Sequence, residues 1–235
     1  TLTVSDSASL ADCGIHDGDT VRMEIVRRVV KCVEKPVICL YDSTPCTDTP
    51  FEARLTVNRQ AGSLSCVFPE PERDGESVVW RGRYSSDGRQ TELRVGERTV
   101  STLFWEMDVG DASFFESEER WVVCHGARKM EVFEQVLARS GLSERERNEM
   151  VVYWLRFLTR HRAVAVRRFG VEKAASLSIS GFPTIHRVFL VMKGVGEEEQ
   201  HEMEERGEAV SAEMLCEIAR PTGKFAVEWG ATALN

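Results

Sequence analysis

Apolar residues recur at helical spacing most densely in residues 129–162. Met130, Phe133, Val136 and Leu137 share one face of a helix, and Gly141 stands where a glycine commonly ends one. Ser143 and Glu146 have the Ser-x-x-Glu spacing of a capping box, which predicts a second helix start. Met150, Val151, Trp154, Leu155 and Leu158 then form one broad apolar face, with Arg145, Arg147, Glu149 and Arg156 mostly off it. Arg160, His161 and Arg162 close the stretch, where cations favour the helix dipole. The pattern predicts a helix hairpin with one apolar side, which needs a surface to cover it.

Elsewhere the period shortens to two. Strands are predicted over 37–41, 51–58, 63–68, 78–84, 93–95 and 100–105, with residues 42–50 as a turn-rich loop. Gly62, Ser85-Ser86-Asp87-Gly88 and Gly96-Glu97 punctuate them. Strands this close together, with no helices between them, imply an antiparallel sheet. Residues 120–125, 163–169, 186–192 and 225–230 are further apolar, strand-like segments. Residues 194–207, with Glu197-Glu198-Glu199 and Glu204-Glu205, read as a solvated acidic loop or a frayed helix.

The first 26 residues carry a different pattern. Ser9-Leu10-Ala11-Asp12-Cys13-Gly14-Ile15 suggests a short helical turn, followed by Gly18-Asp19-Thr20 and a strand with Val21, Met23 and Ile25 on one face. This segment resembles the C-terminal part of a ubiquitin-like, β-grasp domain. The resemblance implies that residues 1–28 are a partial module, with 29–34 as a connector and 35–235 as a separate α+β domain. The chain runs on through Arg27-Arg28-Val29-Val30 without a Gly-Gly ending, unlike a conjugated modifier. Arg22 and Glu24 stand where ubiquitin presents a histidine and a valine to its receptors, so an adaptor or docking role is implied instead.

Within residues 35–231 five short motifs occur in order. Lys35-Pro36-Val37-Ile38-Cys39-Leu40-Tyr41 is similar to a KPVIYLYP opening, and Leu103-Phe104-Trp105-Glu106 to YLFWE. Tyr153-Trp154-Leu155 is similar to YWLP, Arg187-Val188-Phe189 to RVFMVF, and Glu228-Trp229-Gly230 to VEWGG. Together they resemble an uncharacterised, mainly bacterial family. The resemblance implies one intact domain and carries no mechanism. Cys39, Asp42 and Arg156 depart from the pattern, and a non-proline at Arg156 leaves the second helix free to run straight.

Composition bounds the rest. The chain has 235 residues, 42% of them hydrophobic and 29% charged, enough for a sizeable core. A net charge of −8 argues against nucleic acid or an anionic membrane surface as the main partner. No apolar run approaches the roughly 18 residues needed to span a bilayer. The chain begins at Thr1, as expected of a fragment or processed product. Seven scattered cysteines suit reduced thiols in an intracellular compartment, cytoplasmic or organellar, better than a secreted disulfide scaffold.

Candidate chemistry is sparse. Cys124 and His125 are strand neighbours and point to opposite faces, so a nucleophilic Cys124 would need His161 or His186. Cys32, Cys39 and Cys46 lack the close paired spacing of zinc ligands. No metal or cofactor is expected. Glu106 and Glu228, each beside a tryptophan, are the one candidate pair of catalytic carboxylates, as in a glycan-directed hydrolase. Arg160, Arg162, Arg167 and Arg168 form a candidate basic patch for an acidic protein partner. The sequence favours a non-enzymatic interaction or scaffold protein, a subunit of a larger assembly, over that hydrolase. The two readings separate on whether Glu106 and Glu228 share a cleft.

Overall fold

The computed structural model describes residues 31–109 and 112–234. The segment expected to be ubiquitin-like, with Arg22 and Glu24, lies outside them. Fourteen strands and three α-helices are described, in an α+β arrangement of two sheets. The larger sheet has the strand order β13 (Ala209–Val210), β9 (Trp121–His125), β10 (Ala163–Arg168), β12 (Ile185–Val195), β14 (Lys224–Ala233), β1 (Lys31–Asp42), β8 (Leu103–Val109) and β3 (Gly62–Phe68). The smaller runs β11 (Ala175–Ile179), β2 (Cys46–Val57), β5 (Ser77–Ser86), β6 (Thr91–Val95) and β7 (Arg98–Val100), with β4 (Glu72–Asp74) also on β5.

Alternation builds the layers. On β8, Leu103, Trp105 and Met107 are fully buried against the smaller sheet, while Phe104 faces the helices. On β14, Ala226 faces the smaller sheet, while Phe225, Val227 and Trp229 face the helices. The larger sheet is therefore apolar on both faces, as a middle layer must be. α1 (Lys129–Arg139) and α2 (Glu144–Arg160) cover one face with Phe133, Val136, Leu137, Met150, Trp154 and Leu158. α3 (Glu197–Glu205) adds Met203 to the other.

The hairpin begins and ends as its sequence predicts. Gly141 has φ 79°, and the Ser143–Glu146 capping box is formed in both directions. Leu155 departs from the expected apolar face and is exposed. Core-facing positions recur every four residues at Glu146, Met150, Trp154 and Leu158, a narrower stripe than five apolar residues suggest.

Two further expectations change. Residues 31–34 continue β1, pairing Lys31 to Val33 with Val109 to Met107 of β8, so that part of the expected connector is built into the sheet. Residues 46–50, expected in a loop, begin β2. The expected antiparallel pairing holds among the strands of residues 31–109; beyond them β12 runs parallel to β14, Ile185 opposite Ala226 through Met192 opposite Ala233. A parallel pair needs a long crossover, and residues 196–223 supply it, carrying α3 and β13.

Candidate functional site

The five motif segments meet around the centre of the larger sheet, where β12, β14, β1 and β8 lie side by side. β1 carries an extra residue there. Between Glu34 and Val37 its register shifts against both neighbours, and Lys35 takes φ 50°. A bulge of this kind bends a strand and re-aims a side chain. The Lys35 ammonium comes to rest over the helix-side aromatics, 4.4 Å from the Tyr153 ring centroid and 5.2 Å from that of Trp229. Its backbone N–H donates to Glu106 Oε1 at 3.2 Å. Burial pushes the Lys35 amine below its ordinary pKa, with Glu149 opposing the shift. Gly230 makes room for the bulge: a Cβ there would sit 2.9–3.0 Å from Pro36 N, Glu34 O and Lys35 O.

Through the sheet, on the opposite face, Glu228 is the centre. Its side chain is 2% exposed. The indole N–H of Trp105 donates to Oε1 at 2.7 Å, and Arg187 Nε donates to Oε2 at 2.5 Å. Arg187 Nη1 reaches Ala175 O of the smaller sheet at 2.7 Å. A buried carboxylate is tolerated when its charge is paired and its oxygens are hydrogen-bonded. Glu228 meets both conditions, and the trio ties β8, β12 and β14 to β11.

This geometry separates the candidate catalytic pair. Glu106 shares the helix-side face of β8 with Phe104, whereas Glu228 shares the other face with Ala226 and Trp105. The plane of the sheet lies between the two carboxylates, and among the described residues no common cleft joins them.

The expected basic patch also divides. Arg167 and Arg168 point to opposite faces of β10. Arg167 donates to Phe115 O and Ser117 O, both at 2.8 Å, and stacks 4.2 Å over Trp121. Arg168 caps the C-terminus of α1 through Arg139 O and Ser140 Oγ. Burial lowers the pKa of both guanidiniums. Arg162 pairs with Glu197. Of the four, Arg160 alone is both exposed and outside every ion pair found among the described residues. Cys124 is fully buried, and desolvation raises its thiol to about 12, which disfavours the thiolate a nucleophile needs. His186 is committed to Ser140 O at 2.8 Å.

Sequence reasoning missed a second buried carboxylate, Glu146. Burial works to raise its pKa, but donors from Arg220, Tyr41 and Ser143 outweigh it, and the net shift is downward. Arg220 reaches both oxygens, at 2.6 and 3.1 Å, and Tyr41 Oη donates at 2.7 Å. The network forms one wall of a cavity of about 350 Å³ whose rim includes Cys39, Arg89, Thr91, Thr102 and Arg145. Desolvation, ahead of Glu146 and Glu149, pushes the Cys39 thiol up to about 12. The capping-box spacing identified Glu146, but nothing local pointed to Arg220, 74 residues away.

Among the described residues no group of three or more His, Cys, Asp or Glu side chains is placed to hold a metal ion. No helix among them is long and apolar enough to cross a membrane. Compared with protein-family models, with curated proteins and with solved structures, the chain matches none.

Proposed function

We propose that this chain is a non-enzymatic interaction or scaffold protein, a subunit of a larger protein assembly in a reducing intracellular compartment. The observation that carries this reading is the separation of Glu106 and Glu228 by the sheet. A glycosidase needs its two carboxyl groups across one bond, roughly 5–10 Å apart within a shared cleft. Here one carboxylate steadies a bulge and the other is consumed inside the core. The chemistry-bearing side chains Cys124, His186, Arg167 and Arg168 are likewise spent on the fold. Among the described residues Cys39, Cys46, Cys66, Cys124 and Cys216 are free thiols, which suits such a compartment. The ubiquitin-like reading of residues 1–28 would add a docking module.

Affinity purification of the full chain under native conditions, followed by mass spectrometry and size exclusion, tests the proposal. Other proteins should co-elute in fixed stoichiometry. Recovery of the chain without any other protein, together with glycan hydrolysis abolished by Glu228→Gln in a folded variant, would overturn it.

A further inference from the structure

The larger sheet stops at β3 before its core is covered. On the face toward the smaller sheet, Leu103, Trp105, Met107 and Val109 of β8 are fully buried. One strand further out, Leu64 and Val67 of β3 pack against the same core but are only half-buried. Among the described residues β3 pairs with β8 alone, so the backbone groups on its other side have no ladder. Charge or proline ordinarily guards such an edge. Gly62-Ser63-Leu64-Ser65-Cys66-Val67-Phe68 carries neither, and its single irregularity is a register shift between Leu64 and Cys66. Core and ladder both stop one strand short.

We infer that residues 20–26 of this chain complete that edge, as a strand antiparallel to β3. Two observations select this occupant. The first is where the chain enters. Lys31 and Gly62 both pair with Val109, so β1 and β3 start in one row across β8. β1 is flanked by β14 and β8, which leaves no place beside it for the residues just upstream. The nearest open edge of the larger sheet is β3. A strand outside β3 lies three spacings, about 14 Å, from β1. The five steps from residue 26 to residue 31 reach about 17 Å. The other edge, at β9 and β13, is at least five spacings from β1, about 24 Å, and out of reach. β1 and β3 each run antiparallel to β8 and so parallel to one another. A strand that ends at their starting row, beside β3, is therefore antiparallel to it.

The second observation is the pattern. Val21, Met23 and Ile25 alternate with Arg22 and Glu24. Residues opposite one another in an antiparallel pair share a face. Leu64 and Val67 lie opposite Met107 and Trp105, on the smaller-sheet side, whereas Ser63, Cys66 and Phe68 lie opposite Asp108, Glu106 and Phe104. Set beside β3, Val21, Met23 and Ile25 extend the core past Leu64 and Val67. Arg22 and Glu24 then fall on the face of Ser63 and Cys66, which stays open to water. A slip of one residue would turn both charges into the core, so the alternation fixes the register. The inference goes beyond the assembly reading and does not rest on it, because the pairing lies within one chain whatever co-purifies with it.

Hydrogen exchange on the full chain, resolved to single amides, gives the test. The amides of residues 20–26, and those of residues 63–67 that point away from β8, should exchange at least about a hundredfold more slowly than in an unstructured chain. Met23→Asp turns a charge toward the core and should release both sets. The amides of residues 103–109 should stay protected in that variant, which shows that the domain remains folded. Arg22→Glu, on the open face, should leave both sets slow. Protection should be equal at about 1 and 100 µM, as an intrachain contact requires. Free exchange of either set in the parent chain would overturn the inference. So would protection of residues 63–67 that survives Met23→Asp, or protection that rises with concentration, which would assign the edge to a second copy.

Discussion

Trp105 and Glu228 are joined across the larger sheet by a 2.7 Å hydrogen bond, indole N–H to carboxylate, between fully buried partners 123 residues apart. Arg187 completes the carboxylate from the other side. The arrangement predicts unequal effects of truncation. Trp105→Phe keeps most of the ring but removes the donor, and should cost about 1–3 kcal/mol. Glu228→Ala strands the Arg187 guanidinium, which is itself mostly buried, and should cost about 3–5 kcal/mol. Denaturant melts of both variants measure this. A loss under 1 kcal/mol for Glu228→Ala would show that the trio contributes little to stability.

The helix hairpin predicts a contrast between neighbours. Trp154 is buried against the sheet, and Trp154→Ala should cost about 3–5 kcal/mol. Its indole N–H is buried with no hydrogen-bond partner found among the described residues. Trp154→Phe therefore loses ring volume but no bond, and should be much milder. Leu155 faces solvent, and Leu155→Ala should change monomer stability by less than about 0.5 kcal/mol. Equal losses at 154 and 155 in melts at low protein concentration would mean that the helix is rotated.

The thiols predict both a reactivity order and a pH dependence. Cys66 and Cys216 are exposed and Cys124 is buried. Native alkylation should label Cys66 and Cys216 first and Cys124 last, as peptide mass mapping can follow. Cys39 and Cys124 have folded-state pKa values raised to about 12, above the roughly 8.5 of an unfolded thiol. Between those values the folded state holds protons that the unfolded state releases, so stability falls as pH rises. The contribution is fully present below pH 8.5 and is lost toward pH 12. Cys124→Ala should flatten that alkaline slope, which urea melts at pH 8, 9.5 and 10.5 would show.

How much of this was legible depended on the range of each interaction. The Ser143–Glu146 capping box is a three-residue relation, and its spacing alone placed the start of α2. Strand alternation is equally local and sends Arg167 and Arg168 to opposite faces, whatever their shared charge. The five apolar residues of α2 imply a wide arc that includes Leu155, and only the sheet decides which part of an arc is covered. The Glu146–Arg220 pair and the parallel register of β12 on β14 rest on contacts between distant segments. No periodicity encodes those. The five motifs were visible as words, but their common meeting place was not.

The bulge at Lys35 gives the sharpest test of that meeting place. Lys35 holds φ 50°, a region that ordinary side chains occupy at a cost and glycine occupies freely. Its carbonyl and its neighbours' backbone atoms approach Gly230 so closely that a methyl group there would stand 2.9–3.0 Å from three of them. Those atoms are backbone and cannot swing aside. Gly230→Ala must therefore push β1 away from β14, moving Lys35 off Trp229 and loosening its N–H bond to Glu106. Overpacking of this kind costs about 1–3 kcal/mol. The reverse change relieves strain: Lys35→Gly should recover part of the backbone cost while losing the ammonium over Tyr153 and Trp229, leaving a net change within about 1 kcal/mol. Tryptophan fluorescence separates the two, because both disturb the surroundings of Trp229 but only Gly230→Ala should lower the melting midpoint markedly. A Gly230→Ala variant as stable as the parent would mean that β1 does not bulge against β14 at this point.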